Sequence, residues 1–184
     1  MNKFSVLFLI LVSFSGYSQN YSNVKVGPDE KISLQIPDSF FNMNDQDRMK
    51  QVYSTKVPLA MFANETQEAT LGINYNIMQW TQEDTELLYG FYKSSVNNLF
   101  DDIEFIQDEI KTINGREFIV FEFVGSIEND NQFSTKAAQK NYTYIQYTSW
   151  NDQVLLFNFS CKARLKNQWE VIAKEVMGSI KIKK

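Results

Sequence analysis

The stretch FIQDEIKTINGREFIVFEFV, Phe105 to Val124, reads as two strands joined by a tight turn. Asn114-Gly115 sits between the two runs. A two-residue type I′ turn needs positive φ at both central positions, and Asn-Gly meets that need best. The second run, Phe118 to Val124, is apolar at every position except Glu122. A strand that is apolar on both faces belongs in the middle of a sheet covered on both sides. The remainder of the chain is what covers it.

The 184 residues suffice for one ordinary domain. Hydrophobic residues make 43% of the chain and aromatics 15%, so a substantial core is expected rather than disorder. The net charge is −4, and no cluster of Lys or Arg longer than two occurs, which argues against a nucleic-acid partner. Histidine is absent. The commonest general base and the commonest neutral metal ligand are absent with it.

Residues 1–18 read as a signal peptide. Lys3 supplies the positive start, Phe4 to Phe14 the apolar run, and Gly16-Tyr17-Ser18 the small residues before cleavage ahead of Gln19. The apolar run is too short to span a bilayer of roughly 30 Å as a helix. No later stretch is long and apolar enough to do so. The expected mature product, residues 19–184, is one soluble domain exported to the periplasm or beyond. Export permits disulfides, but Cys161 is the only cysteine, so stability must come from the core.

Working outward, Val24 to Val26 and Lys31 to Ile36 read as a strand pair ended by Pro37. Asn44 or Asp45 caps a short helix through Tyr53. Val57 to Ala63 reads as a strand that starts late or lies at an edge, because of Pro58. Ala69 to Met78 is a clearer strand. Thr81-Gln82-Glu83-Asp84 opens a helix with a capping-box shape, and Leu88, Phe91 or Tyr92, Ser95 and Leu99 mark its inner side. Gly125 to Lys140 reads as a polar loop. Asn141 to Trp150 and Val154 to Cys161 form a second hairpin about Asn151-Asp152. Leu165, Trp169, Ile172, Ala173 and Val176 form the apolar stripe of a last helix, from about Ala163 to Met177, stopped by Gly178. The expected fold class is α+β: an α/β/α sandwich, with a mainly antiparallel sheet of six to seven strands and a helix on each face.

Several of these pieces together resemble the PsbP-like superfamily, which includes the PsbP accessory proteins of photosystem II, Ran-binding nucleotide-release factors and DcrB-type envelope proteins. The resemblance rests on Ile32 to Pro37, the Pro58-containing strand, the helix ending at Asn98-Leu99-Phe100, and Ile113-Asn114-Gly115-Arg116-Glu117 leading into a strand. The Tyr-rich strand and the final helix running into Gly178-Ser179-Ile180 complete it. It implies an antiparallel sheet between helices and mostly non-enzymatic binding or accessory roles; for an exported chain the expected partner is an envelope protein.

No catalytic set emerges from the residues. There is no Gly-x-Ser-x-Gly, no relay without histidine, and with seven glycines no phosphate-cradling loop. No cofactor or metal is expected. Glu128 to Gln132 resembles a Ca²⁺ loop but has Phe133 where Gly is needed and Gln139 where Glu is needed. Asp101-Asp102-x-Glu104 follows a helix C-terminus, where acids are unfavourable, and reads as a solvated connection. Cys161 reads as a buried structural thiol. Glu122 could be a tuned catalytic acid, but reads better as a carboxylate at an open patch of sheet or paired to a cross-strand Lys or Arg. Trp169 reads as core. Of the tryptophans, Trp150 has the best chance of exposure, from its turn position. The loop 125–141 supplies the remaining binding candidates, Phe133, Lys136 and Lys140. Asn114, Gly115, Trp169 and Cys161 are read as structural. The leading function is an exported accessory or binding protein; the alternatives are a carboxylate-only hydrolase and a small-ligand carrier with a pocket between sheet and helix.

Overall fold

A computed structural model describes residues 19–51, 57–76, 79–127 and 139–183. The hairpin at the centre of the sequence is β6 (Asp102–Ile113) and β7 (Arg116–Ile127). Asn114 and Gly115 between them have φ of 49° and 80°, the left-handed backbone a type I′ turn demands. The second hairpin, β8 (Gln139–Trp150) and β9 (Gln153–Lys162), turns the same way through Asn151 and Asp152, with φ of 51° and 54°. With β3 (Phe40–Asn42), β4 (Ala60–Asn64) and β5 (Ala69–Asn76), these strands form an antiparallel sheet in the order β3-β4-β5-β9-β8-β7-β6. β7 is therefore one strand in from the edge, not at the middle.

Both faces of β7 are covered, as its composition requires. Phe118 and Val120 join a cluster with Tyr142, Phe157, Phe159 and the helical residues Trp169, Ala173 and Val176. Ile119, Phe121 and Phe123 point the other way, into a cluster with Leu88, Tyr92 and Val96. Phe121 and Phe123 are fully buried. Burying each Phe contributes about 1.5–3 kcal/mol relative to leaving it in water. The helix on the second face is α2 (Thr85–Leu99), and that on the first is α3 (Lys166–Gly178). A small sheet of β1 (Tyr21–Val26), β2 (Ile32–Pro37) and β10 (Lys181–Ile182), in the order β1-β2-β10, packs with α3 through Ile32, Leu34 and Ile36. The architecture is the expected antiparallel sheet between helices, with this second sheet added.

Several local readings are corrected. Within the stretch read as a loop from Gly125 to Lys140, residues 125–127 and 139–140 are strand. β7 runs on to Ile127 and β8 begins at Gln139, with Ser126 opposite Lys140. Gly125 permits this: a Cβ there would lie 2.8 Å from Cδ1 of Phe100. On α2 the buried stripe is Leu88, Tyr92 and Val96, while Phe91 and Leu99 are exposed. Tyr92 stacks on Tyr147 at 3.9 Å between ring centroids, and that contact fixes the rotation of the helix. The stop of α3 is Ser179, not Gly178. The Ser179 backbone N–H donates to the carbonyls of Glu175 and Val176, and its hydroxyl donates to the Val176 carbonyl. The short helix α1 (Asp45–Gln51) is capped by Asn44, whose Oδ1 accepts from the Asp47 backbone N–H at 3.0 Å. Tyr53, Ile77 and Met78 lie outside the described residues.

β6 carries a bulge at Ile106 that sequence alternation did not reveal. Phe105 lies opposite Phe123, but Gln107 lies opposite Glu122. The extra residue inverts the face of everything after it. Phe105 and Ile110 consequently both pack toward α2, while Gln107 turns toward the α3 side.

Candidate functional site

Glu122 is 1% exposed and lies on the α3 face of β7. Its Oε1 accepts a 2.9 Å hydrogen bond from the Tyr142 hydroxyl and lies 3.2 Å from Lys174 Nζ. The cation comes from α3, not from a neighbouring strand. Lys174 also lies 2.6 Å from Glu170 Oε1, and Lys166 lies 2.9 Å from Glu170 Oε2. The result is a chain of charges, Lys166–Glu170–Lys174–Glu122, ending on Tyr142. Hydrogen bonds from Lys166 and Lys174 hold the Glu170 carboxyl below its ordinary range. The hydrogen bond to Glu170, and then that to Glu122, raises Lys174. Burial, reinforced by the Glu122 carboxylate, pushes the Tyr142 phenol far up. Glu170 and Lys174 therefore stay ionised around neutral pH, and Tyr142 stays a proton donor.

Beside this chain, a cavity of about 320 Å³ opens between α3 and the β6 edge. Gln107, Lys111, Glu122, Tyr144 and Lys174 line it, with Ile106 of the bulge. The Tyr144 hydroxyl donates to Gln107 Oε1 at 3.3 Å. The volume reaches the lower bound for a small-ligand pocket, but the lining is charged and polar where carriers of apolar ligands are mainly hydrophobic.

The arrangement has a decisive feature for catalysis. Glu122 and Glu170 are two carboxylates bridged at 3.2 and 2.6 Å, which brings them within the separation used by acid pairs, about 5–10 Å. The space between them, however, is filled by the Lys174 ammonium. A substrate or attacking water placed between the two carboxylates would need that space.

The other sequence candidates fall as follows. Cys161 is 3% exposed on β9, and burial raises its thiol to about 11, so it stays protonated at neutral pH. Trp169 is buried edge-on to Phe40, 5.5 Å between centroids. Asn114 does more than turn the chain: its side-chain N–H donates to the carbonyls of Gly178 and Ile180, at 3.2 and 2.8 Å, tying the hairpin to the end of α3. Lys140 pairs with Asp102 at 2.8 Å, both exposed, which accounts for one acid of the Asp101-Asp102-x-Glu104 run. Phe133 and Lys136 lie outside the described residues. Trp150 is 7% exposed, and its indole N–H donates to the Lys183 carbonyl at 3.2 Å. Little of its surface is exposed, which leaves no open platform, although the residue lines a cleft beside the start of α2. No cluster of three or more metal-ligating side chains occurs among the described residues, and no helix among them is long and apolar enough to cross a membrane.

A second cleft, of about 310 Å³, lies where the start of α2 meets the ends of β7 and β8. Trp80, Gln82, Arg116, Ser149, Trp150 and Asp152 line it. No local signal marks Arg116, since its setting depends on Gln82 and Ser149, which are far off in the chain.

No family model matches the sequence, and no curated protein matches it. Solved structures do. The cyanobacterial PsbP protein CyanoP from Synechocystis superposes with a TM-score of 0.57 at 9% identity, over 92% of this chain and 96% of that one. The Ran-binding protein Mog1p of Saccharomyces cerevisiae gives 0.57 at 9% identity, over 90% and 96%. LpqN of Mycobacterium tuberculosis, described as involved in cell envelope biogenesis, gives 0.55 at 13% identity, over 91% and 92%. The chain has the PsbP-like fold. At such identities the likeness is one of fold, and function must be argued from the residues.

Proposed function

We propose that the chain is an exported, non-catalytic accessory protein of the cell envelope that works by binding a protein partner. One observation carries the reading: the Lys174 ammonium sits between Glu122 and Glu170 and occupies the place a substrate would need. The molecule's most catalytic-looking carboxylate thereby becomes a strut between α3 and β7. The fold neighbours support the same direction, since one is named for binding Ran and another for a part in envelope biogenesis. Export, to the periplasm or beyond, rests on the leader-like residues 1–18, which lie outside the described residues.

Two measurements test this. N-terminal sequencing of protein from the native host should find the mature end within two residues of Gln19, and retention of Met1 would refute export. The purified chain should turn over no ester, glycoside or phosphoester substrate in a manner that depends on Glu122. Hydrolysis that is lost in a folded Glu122→Gln variant would restore the hydrolase reading.

A further inference from the structure

Arg116 differs from several cations on the main sheet and on the two helices that cover it. Lys93, Lys111, Lys140 and Lys174 each reach a carboxylate. Arg116 is half-buried and reaches none among the described residues. Burial lowers the affinity of its guanidinium for its proton, as expected when a cation loses water without gaining an anion. Its Nη1 donates to the Ser149 backbone carbonyl at 2.7 Å. A guanidinium carries five N–H donors in a rigid fork, so most remain for a ligand.

The surroundings are fixed in advance. Gln82 donates from Nε2 to the hydroxyls of Thr148 and Ser149 at 3.2 and 3.0 Å, and its Oε1 accepts from the Glu117 backbone N–H at 3.2 Å. One side chain thus clamps the start of α2 to both β7 and β8. Trp80 is held by packing on the α2-side cluster, and Trp150 by its bond to Lys183. Trp150 is nearly buried and its N–H is spent, so the partly exposed Trp80 supplies most of the ring surface. Asp152 lines the same cleft without pairing to Arg116. One positive charge facing a rim that already holds a carboxylate suits a monoanion better than a phosphate dianion.

We propose that this cleft is a binding site for a carboxylate joined to a flat apolar group, with the Arg116 fork holding the carboxylate and the Trp80 ring, beside Trp150, holding the flat group. The proposal deepens the binding reading above and rests on it. A free aromatic acid and the carboxylate end of a peptide chain share this chemistry.

The test is titration of the purified chain followed by the indole N–H signals of its three tryptophans in ¹⁵N-correlated NMR. Indole-3-acetate should shift the Trp80 and Trp150 signals to saturation and leave Trp169 in place. Indole-3-ethanol, the neutral counterpart, should bind about tenfold more weakly or worse, for want of a charge-assisted hydrogen bond. A folded Arg116→Gln variant should lose that preference for the acid. A tripeptide ending in Phe, as free acid and as C-terminal amide, separates the sources. Saturation by the peptide acid but not the amide assigns a chain end, and saturation by indole-3-acetate alone assigns a small molecule. Equal shifts from acid and neutral probe, stronger binding of inorganic phosphate, or no saturable shift from either carboxylate overturns the site. The comparison of probes needs no variant, so it stands even if Arg116→Gln fails to fold. Loss of this site leaves the absence of Glu122-dependent turnover untouched, so the two readings fail separately.

Discussion

Replacing Lys174 by Met isolates what the central charge chain contributes. Lys174 lies 3.2 Å from a carboxylate that is 1% exposed, while its own side chain is 45% exposed. Removing one partner of a fully buried pair costs about 3–5 kcal/mol, because the other charge is stranded. Exposed pairs are worth about 0–1 kcal/mol. With one end buried and the other half in water, the expected cost of Lys174→Met lies between, at about 2 kcal/mol. The Tyr142 hydroxyl still donates to Glu122, so the stranded carboxylate keeps one hydrogen bond. In the double variant Glu122→Gln/Lys174→Met no charge is stranded, and the Gln carbonyl still accepts from Tyr142. It should regain more than half of the loss, giving a coupling of about 1–2 kcal/mol. Urea denaturation of the four members of the cycle, read as midpoints with constant m, supplies the numbers. A Lys174→Met cost below about 0.5 kcal/mol would place the pair among ordinary surface contacts and refute the strut. So would a double variant whose loss equals the sum of the single losses.

Four further outcomes follow from particular contacts. Gly115→Val should cost about 1–3 kcal/mol by urea midpoint, whereas Gly115→Asn should be nearly neutral. Nothing lies within 4 Å of the added Cβ, so the difference reads backbone strain at φ +80° alone. Gly125→Ala should cost about 1–3 kcal/mol, because the Phe100 ring must move from 2.8 Å; near-UV CD should register the ring's displacement. Trp169→Ala should cost about 3–5 kcal/mol, and an unchanged midpoint would show that α3 buries another face. Glu170 is held below its ordinary value of 4.5, so its contribution is present above that pH and is lost as pH falls through the lower, folded value. The denaturation midpoint of Glu170→Gln should therefore fall less than that of the parent between pH 5 and 3.

The two-sided apolar run on β7 and the two tight turns were legible because they depend on neighbours in sequence. The same holds for the Thr81–Asp84 cap, where the Asp84 carboxylate accepts from the Thr81 backbone N–H and hydroxyl at 2.8 Å each. What stayed hidden depends on distant partners. The bulge at Ile106 is visible only against the register of β7, and it alone brings Gln107 to the α3 face. The rotation of α2 is set by Tyr147, so alternative stripes through Phe91 and Tyr92 looked alike in sequence. In sequence Glu122 reads as lying at an open patch of sheet or paired across strands, whereas its cation comes from α3, which is joined to β7 only through the second hairpin, so no local pattern names Lys174. β3 is three residues long, below what alternation can resolve.

The most direct test of the central claim is capture from an envelope extract of the native host, using the chain and its Glu122→Gln variant side by side as immobilised bait. If the protein works by binding and Glu122 is a strut, both baits should retain the same partner proteins at the same yield, provided near-UV CD shows both folded. A folded Glu122→Gln bait that retains none of them would contradict the account.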